Sequence, residues 1–377
     1  MLKTMKYRLK PTKAQATQLD AQLEECRWTY NHLLAQRRDA WEERQESLSY
    51  YAQATTLPAL KQERPALSGV HSQVLQNVAV RIDLAFKAFF RRCKAGEEPG
   101  YPRFRGHGRY DSMTFPQYGN GCQVVDGMLK LSKVGAVRII EHRPLEGTQK
   151  TCTIRHSSTG KWYVTIACEM DAQPLVSTGE AVGIDVGLIS FVTLSTGEST
   201  PCPKFLRTDE KDLKRTQRKL SAAPKGTSER AKRRKIVGRV HERITNRRSN
   251  FAHQESRKIV NRFDVVAIED LSVNTMVHNH CLAKSIHDAA WSQFAAFLSY
   301  KAVYAGRAFV AVNPAYTSQD CSGCGHRQKK TLRERLHQCA CCGLTLDRDH
   351  NAALNIKRLG LQSLGLVPRS SGRQAGE

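Results

Sequence analysis

Hydrophobic and polar positions alternate at the start of the chain and then change to a helical spacing. Residues 3–10 alternate polar and apolar side chains, the period of a half-buried strand, and Pro11 ends that run. Thr12 and Gln15 have the spacing of a helix capping box, and apolar side chains recur after them at helical intervals. The pattern therefore predicts a strand, a long helix that begins after Thr12, and a second helix over 72–94.

Between 113 and 171 the apolar positions follow a period of two over short segments, which is typical of β-strands. The segments MTFPQ, CQVVDGMLKL and AVRII each predict one strand, and the segment after them predicts a hairpin with an SSTGK turn. Together, 1–10 and 113–171 predict one β-rich domain, with the helices of 11–112 inserted in it.

The rest of the chain, over 172–360, alternates strands and helices. Two strands are predicted in GIDVGLISFVTL, a third over 264–271 and a fourth in AFVAVNPA. A helix with one apolar face lies between the last two strands, and another helix follows near the end. This order predicts an α/β domain.

A basic insertion separates the second and third of these strands. The region 208–260 carries 17 lysines and arginines against six acidic residues, and only residues around 223–226 break its helical pattern. It therefore predicts a helical hairpin with basic faces. A solvated helix usually mixes its charges, so a surface that faces a polyanion is favoured. After Gly360 the serine and glycine content predicts a disordered tail over 361–377.

The charge of the whole chain supports a polyanionic partner. Fifty-nine lysines and arginines against 35 acidic residues give a net charge of +24, and such an excess repels itself unless a partner neutralises it. Nucleic acid is favoured over a membrane, because no segment has the apolar length of a span or the pattern of a basic membrane-surface helix. Eight of the twelve cysteines are scattered, which fits a reducing cytoplasm. We expect a soluble cytoplasmic protein without a membrane partner.

A loop with alternating arginines and aromatic residues is one candidate for nucleic-acid contact. In GYPRFRGHGRY, glycine and proline exclude regular structure, and Arg103, Phe104 and Arg105 lie between Tyr101 and Tyr110. Bases stack on aromatic rings and phosphates attract guanidinium groups. An ordinary solvated loop accounts for the same composition equally well.

Two CxxC pairs near the C-terminus predict a zinc knuckle over 318–346. Cys321, Cys324, Cys339 and Cys342 are spaced CxxC-x14-CxxC, and four thiolates at this spacing bind zinc in a tetrahedron. Cys341 lies outside the CxxC register. Because four protein ligands leave no open position, we interpret the single zinc ion as structural.

Three acidic residues stand where the predicted strands and the last helix would place them together. Asp185 lies within an apolar strand, Glu269 ends another, and Asp349 is predicted as the N-cap of the last helix. Taken singly, each has an ordinary structural interpretation, and Asp347 is a neighbouring alternative to Asp349. Their order along the chain is that of an RNase H-like domain, in which such acids hold two divalent ions, best Mg²⁺, roughly 3.5–4 Å apart.

The motifs GIDVG, IEDL and CSGCG…CACCG…DRDHNAALNI resemble those of the TnpB (OrfB) family of bacterial insertion sequences, which is similar to the type V CRISPR effectors. The resemblance covers nearly the whole chain. It implies a RuvC-like nuclease domain over 172–360 and an N-terminal β-barrel-like wedge domain that carries a helical recognition insertion. It also implies an RNA-guided DNA endonuclease whose catalytic acids and Mg²⁺ ligands are Asp185, Glu269 and Asp349.

The partners implied by the resemblance are a guide RNA transcribed from the element's end and double-stranded target DNA, bound by a monomer. A short motif beside the target would be read around Tyr50, Gln73, Gln76 and Gln117. In the basic hairpin we single out Arg233, Arg234 and Lys235 as phosphate contacts. The zinc knuckle would fix the place of Asp349, whereas Asp185 and Glu269 would keep their places on their own strands.

Two other functions share this fold. One is an RNA-guided DNA-binding repressor, although the three acids are intact here. The other is a transposase, or an accessory to one, that acts on DNA strands directly, but the sequence carries no His-hydrophobic-His pair with an accompanying tyrosine nucleophile. Fold alone does not choose among the three.

Overall fold

The computed structural model describes residues 1–331 and 334–367. The chain divides into two compact units, Met1–Met170 and Asp171–Glu377, and each is described by itself. Among the described residues, no helix combines the length and the apolar character that crossing a bilayer requires.

The first unit is built on a seven-stranded antiparallel sheet. Its strand order is β2-β6-β7-β1-β5-β4-β3, so the N-terminal strand lies in the middle, between β7 and β5. The strands are β1 (Leu2–Lys10), β2 (Ser112–Phe115), β3 (Cys122–Val125), β4 (Met128–Leu131), β5 (Gly135–Ile140), β6 (Thr148–His156) and β7 (Trp162–Glu169).

One strand prediction in this unit was wrong. The segment CQVVDGMLKL forms the β3–β4 hairpin instead of a single strand. Asp126 and Gly127 have φ angles of 52° and 68°, the conformation of a two-residue hairpin turn that Asp-Gly favours. The turn reverses the chain and pairs Val125 with Met128.

Helices of the first unit lie between β1 and β2. The capping box is present, because the Thr12 side chain accepts from Gln15 N and the Gln15 side chain accepts from Thr12 N. Val74, Val78 and Ile82 of the last helix are buried, as the predicted apolar stripe requires. The helices are α1 (Lys13–Arg44), α2 (Tyr50–Ala54), α3 (Leu57–Glu63), a 3-10 turn (Pro65–Gly69) and α4 (Ser72–Lys94).

The second unit has a five-stranded mixed sheet in the order β10-β9-β8-β11-β12. Strand β9 pairs antiparallel with both β10 and β8. Strand β11 pairs parallel with both β8 and β12. A separate hairpin pairs the last two strands. The strands are β8 (Ala181–Val186), β9 (Ser190–Leu194), β10 (Ser199–Pro201), β11 (Val265–Glu269), β12 (Ala308–Val312), β13 (Leu336–Gln338) and β14 (Thr345–Asp347).

Helices cover both faces of this sheet. On one face, buried Phe294 and Leu298 of α9 join Ile184 and Ile268 of the sheet in the main core. On the other face α10 packs against β8 and β11. The helices are α5 (Phe205–Ala222), α6 (Ser228–Arg262), α7 (Val273–Met276), α8 (His280–Ala289), α9 (Trp291–Tyr304) and α10 (Arg348–Ser363).

The last helix continues beyond the predicted start of the tail. It runs to Ser363, and Gly360 is buried against Ala267 of β11. Residues 361–363 therefore belong to α10 and not to the predicted tail. The remainder of the predicted tail, from 368 to 377, lies outside the described residues.

Candidate active site and metal centre

Two adjacent parallel strands place the first two acids side by side. The pairing of β8 with β11 ends at Ile184 opposite Ile268, and Asp185 and Glu269 are the next residues of the two strands. Because side chains alternate along a strand and the register is equal, both carboxylates leave the same face of the sheet at the same level.

The third acid reaches this face on α10. A Cβ atom on Gly183 would lie 2.0 Å from Ala353 O and 2.4 Å from Lys357 N, so only glycine allows the helix backbone this close to β8. Gly183 and Asp185 share one face of the strand. Asp349 lies one turn before Ala353 on the same side of α10, which directs it towards Asp185.

The charges of the other two acids act on Asp185. Burial raises the pKa of Asp185 well above its usual range, and the charges of Glu269 and Asp349 raise it further. Burial also raises the pKa of Glu269. The Thr317 hydroxyl donates a hydrogen bond to Glu269 and acts to lower this pKa. The site is thus a group of like charges withdrawn from water, which a bound cation would relieve.

Two arginines hold the third acid. Arg348 Nη2 lies 3.0 Å from Asp349 Oδ1, and Arg335 Nη1 lies 3.5 Å from Asp349 Oδ2. The Arg348 charge also acts to lower the pKa of Asp185, opposing its carboxylate neighbours. The cluster is therefore partly compensated by protein cations on the α10 side.

Asp347, and not Asp349, is the N-cap of α10, so the predicted cap was wrong. Its Oδ1 accepts from Asp349 N at 2.9 Å and from His350 N at 3.1 Å. Asp347 also ends β14, paired with Leu336, and the helix begins directly after it. Capping occupies the Asp347 carboxylate, and the charge of Asp349, in the first turn, acts on Asp185 more strongly than that of Asp347.

The four cysteines of the two CxxC pairs form one cluster, with all sulfur atoms within 4.8 Å of one another. The Sγ atoms of Cys321 and Cys342 are 3.6 Å apart, as are those of Cys324 and Cys339. Tetrahedral zinc with Zn–S bonds of about 2.3 Å separates its sulfurs by about 3.8 Å, so the set fits zinc. Cys341 lies outside the set.

Backbone groups act on one member of this cluster, Cys339. Amide N–H groups of Cys342 and Cys341 lower the pKa of Cys339 to about 6, which favours the thiolate form. Gly343, with a φ angle of 73°, donates its N–H to Cys339 O at 3.0 Å and closes the turn. The second CxxC pair is thus held by a turn that needs glycine.

Three buried polar residues near both centres were missed by the sequence reasoning. They are Thr317, Asn351 and Asn355, which are 4%, 0% and 1% exposed. Asn355 Nδ2 donates to Thr317 O at 2.9 Å and to Asp320 O at 2.7 Å. The segment NAALN could have indicated these residues, because its two asparagines are four positions apart and lie on an alanine-rich helix face. Polar side chains buried on such a face need hydrogen-bond partners.

Known proteins resemble this chain along its length. Residues 165–280 match the OrfB family of IS605 elements, described as "Probable transposase", 1–46 match its helix-turn-helix domain, and 291–356 match the Cas12f1-like TNB domain. A Streptomyces pristinaespiralis protein named "Putative RNA-guided DNA endonuclease" is 38% identical over 368 residues, which are 95% of this chain and 89% of the relative. The chain belongs to the TnpB (OrfB) family.

A second relative also matches nearly the whole chain. The Escherichia coli K12 protein "Putative RNA-guided DNA endonuclease InsQ" is 30% identical over 378 residues, which are 95% of this chain and 92% of the relative. Among solved structures, a Cas12f1 complex with guide RNA and target DNA matches 95% of this chain and 99% of its own at 15% identity. The TM-score of this match is 0.37.

The segment of this TnpB-family chain that matches a helix-turn-helix domain has a different local structure. Residues 1–46 fold as β1 followed by the single 32-residue helix α1. The alternating pattern of residues 3–10 accounts for the strand, and its pairing in mid-sheet fixes it.

The basic hairpin of this TnpB-family chain contains both paired and exposed cations. Arg243 and Arg247 of α6 bind the buried carboxylate of Asp209 in α5 and so join the two helices. Of the three predicted phosphate contacts, Arg233 is half-buried and paired with Glu229 at 2.6 Å. Arg234 and Lys235 are exposed and are the freer pair for an external anion.

The arginine-aromatic loop of the first unit is exposed at Arg103, Phe104 and Arg105. Its backbone is fixed to α1, because Asn31 accepts from Arg105 N at 2.8 Å and donates to Arg105 O at 2.9 Å. The predicted interleaving is incomplete, since Tyr110 is 8% exposed and its hydroxyl accepts from Arg81.

The structure brings together two of the four residues predicted to read the target-adjacent motif. Gln73 Nε2 of α4 donates to Gln117 Oε1 at 2.6 Å. Gln76 is exposed one turn further along α4. Tyr50 begins α2 and packs its ring against Tyr51, with centroids 5.2 Å apart.

Proposed function

We propose that this chain is an RNA-guided DNA endonuclease of an insertion sequence, which hydrolyses phosphodiester bonds of target DNA beside a short motif. The observation that carries the proposal is the convergence of Asp185, Glu269 and Asp349 from three distant segments. Membership of the TnpB family supports it, as do two relatives named "Putative RNA-guided DNA endonuclease" and "Putative RNA-guided DNA endonuclease InsQ", matched over 89% and 92% of their own length.

The architecture of the second unit supports a RuvC-like catalytic domain. Numbered along the chain from β8, its strand order is 3-2-1-4-5, with the first two connections antiparallel and the rest parallel. This is the order of RNase H-like domains, and the acids lie at the carboxyl ends of β8 and β11 and at the start of α10. The first unit would be the wedge domain with its helical recognition insertion.

The carboxylate cluster fits Mg²⁺, because buried like charges with oxygen ligands are the environment that hard divalent cations prefer. Asp185, Glu269 and Asp349 would hold the ions, two in a RuvC-like site. When bound, Mg²⁺ supplies activation of the attacking water and stabilisation of the leaving oxygen.

The chain's own groups hold the carboxylates in place. Arg348 and Arg335 fix Asp349 from one side, and the Thr317 hydroxyl fixes Glu269 from another. Strand pairing sets Asp185 at the level of Glu269. A rigid arrangement of this kind lets a phosphodiester be aligned without moving the protein at the moment of reaction.

Binding of guide RNA and target DNA is proposed for the basic and aromatic surfaces. A net charge of +24 favours association through phosphate contacts with release of counterions. Arg234 and Lys235 are exposed for such contacts, and Arg103, Phe104 and Arg105 add exposed guanidinium groups and a ring. Gln73 and Gln117 together, with Gln76 and Tyr50, are proposed to read the bases of the target-adjacent motif.

The test begins with expression of the protein together with the flanking DNA of its element, followed by sequencing of the RNA that copurifies. The purified complex should cut double-stranded DNA that matches the guide, with Mg²⁺ present, and should leave mismatched DNA intact. Guided binding without cutting would support the repressor, and strand joining without RNA would support a transposase. Either outcome contradicts the proposal.

A further inference from the structure

A single threonine connects the zinc knuckle to the middle acid. Thr317 is buried, and its hydroxyl contacts both Glu269 Oε1 and, at 3.2 Å, Pro314 O. A hydroxyl has one proton, and the carboxylate contact is the closer and the charge-assisted one. Donation to Glu269 therefore fixes the rotation of this carboxylate beside Asp185.

Asparagines of α10 fix the segment that carries this threonine. Asn355 donates to the carbonyl oxygens of Thr317 and Asp320, at 2.9 and 2.7 Å. Asn351 donates to Asp320 O at 2.8 Å and accepts from Ser322 N at 2.9 Å. Breaking one bond of a fully paired buried network leaves a partner unsatisfied, so the network resists displacement.

The same segment contains the first zinc ligand. Cys321 lies between Asp320 and Ser322, the two residues that Asn351 binds, and its sulfur belongs to the four-cysteine cluster. The same short backbone segment therefore positions both Cys321 and Thr317. The side-chain amides of Asn351 and Asn355 attach this segment to α10.

We propose that Thr317 is a positioning residue for Glu269, and that Asn351 and Asn355 extend the support of the knuckle to this acid. The knuckle then supports two of the three acids, in contrast to the sequence-based expectation that Glu269 keeps its place on β11 alone. The inference rests on the proposed function where it treats Glu269 as a ligand of the nuclease metal.

The competing explanation is that Thr317 only fills space and closes a turn onto Pro314. Valine has nearly the same shape as threonine and lacks the hydroxyl, whereas serine keeps the hydroxyl and loses a methyl group. Thr317→Val and Thr317→Ser therefore separate the hydrogen bond from the packing. Thr29→Val is the matched control, because Thr29 is fully buried and its hydroxyl donates to Glu25 O within α1.

The experiment measures Mn²⁺ binding to the purified full-length protein by electron paramagnetic resonance, and guided cleavage as a function of Mg²⁺ concentration. We expect Thr317→Val to weaken Mn²⁺ binding and to raise the Mg²⁺ concentration for half-maximal cleavage, each by about 10-fold, as for other residues that orient metal ligands. Thr317→Ser and Thr29→Val should behave as the wild type. Zinc content and guide-RNA affinity should not change in any of these variants.

Wild-type Mn²⁺ binding by Thr317→Val would overturn the role of Thr317. Asn355→Leu should weaken Mn²⁺ binding with Thr317 still present, and unchanged binding there would overturn the connection through α10. A wild-type protein that binds Mn²⁺ and does not cut guided DNA would contradict the proposed function, and the Mn²⁺ comparison would still decide the role of Thr317.

Discussion

The cysteine cluster and the carboxylate cluster lie in the same unit and are assembled in different ways. The outer cysteines, Cys321 and Cys342, are 21 positions apart, and backbone N–H groups favour a thiolate at Cys339. The acids come from β8, β11 and α10, and their mutual repulsion and burial disfavour the charged form of Asp185. The cysteine cluster is formed by residues close together in the sequence, and a metal ion would complete it. The carboxylate cluster is formed by residues from distant segments, and the rest of the fold holds these acids near one another.

The sharpest test of this difference removes the acids one at a time. Asp185→Ala, Glu269→Gln and Asp349→Ala should each reduce guided cleavage by at least about 10³-fold, because metal-held charge stabilisation is worth several kcal/mol. Guide-RNA binding, target binding and zinc content should stay near wild type. Cleavage kinetics and metal analysis on the same preparations make the comparison, and wild-type cutting by any one variant removes that residue from the site.

Removing the knuckle should have the next largest effect, and on both centres. Cys324→Ser or Cys339→Ser should lose zinc, whose apparent binding free energy in small domains is about 10–16 kcal/mol, and should reduce cleavage about 10²-fold even with excess Mg²⁺. RNA binding should suffer much less. Cys341→Ser is the matched control and should keep one zinc per chain, because Cys341 is outside the sulfur cluster.

Full cleavage by a zinc-free preparation would separate the two sites, and the knuckle would then be an independent binding module. Loss of zinc from Cys341→Ser would show that the ligand set is wrong. Both measurements use the guide-loaded full-length protein.

A site is easier to predict from the sequence when its residues are close together along the chain. The knuckle and the Thr12 capping box are local, so residue spacing was enough. The N-cap of α10 was misassigned by two residues, because the start of the helix is set by the pairing of Asp347 with Leu336 in a short hairpin. No local pattern distinguishes the two aspartates.

The hydrogen bonds that support the acids were outside the reach of sequence reasoning. Thr317 meets Glu269 across 48 positions, and Asn355 meets Thr317 across 38. The basic hairpin shows the same limit, because Asp209 binds Arg243 and Arg247 across 34 and 38 positions. The sequence gives the total charge of the hairpin, but the fold is needed to show which of its lysines and arginines remain exposed.

The basic hairpin tests whether binding can be weakened without affecting either metal site. Replacing exposed Arg234 and Lys235 with alanine should lower nucleic-acid affinity roughly 10-fold at moderate salt and reduce the slope of log affinity against log salt by about 2. Cleavage per bound complex and zinc content should not change. Arg233→Ala is the control, since its pairing with Glu229 predicts a smaller change in slope.

An unchanged slope in the Arg234/Lys235 double variant would show that this part of the hairpin is a solvated face. Binding isotherms at several salt concentrations, with the guide RNA and with the target duplex separately, make the measurement.

The smallest expected effect concerns stability without divalent metal, where the two sites should respond with opposite signs. Since burial and neighbouring carboxylates raise the pKa of Asp185, its ionised form destabilises the folded state once the pH exceeds the usual aspartate value of about 3.9. Asp185→Asn should therefore raise the melting temperature at pH 7 by a few degrees, since 1 kcal/mol corresponds to about 2–4 °C. The gain should vanish near pH 3 and shrink when Mg²⁺ stabilises the wild type.

Asp209→Asn, at a buried carboxylate paired with two arginines, should instead lower the melting temperature, as should Cys339→Ser. Calorimetry in EDTA-free, Mg²⁺-free buffer with zinc retained decides it, and a lower melting temperature for Asp185→Asn at pH 7 would show that the acid cluster is already compensated by the protein.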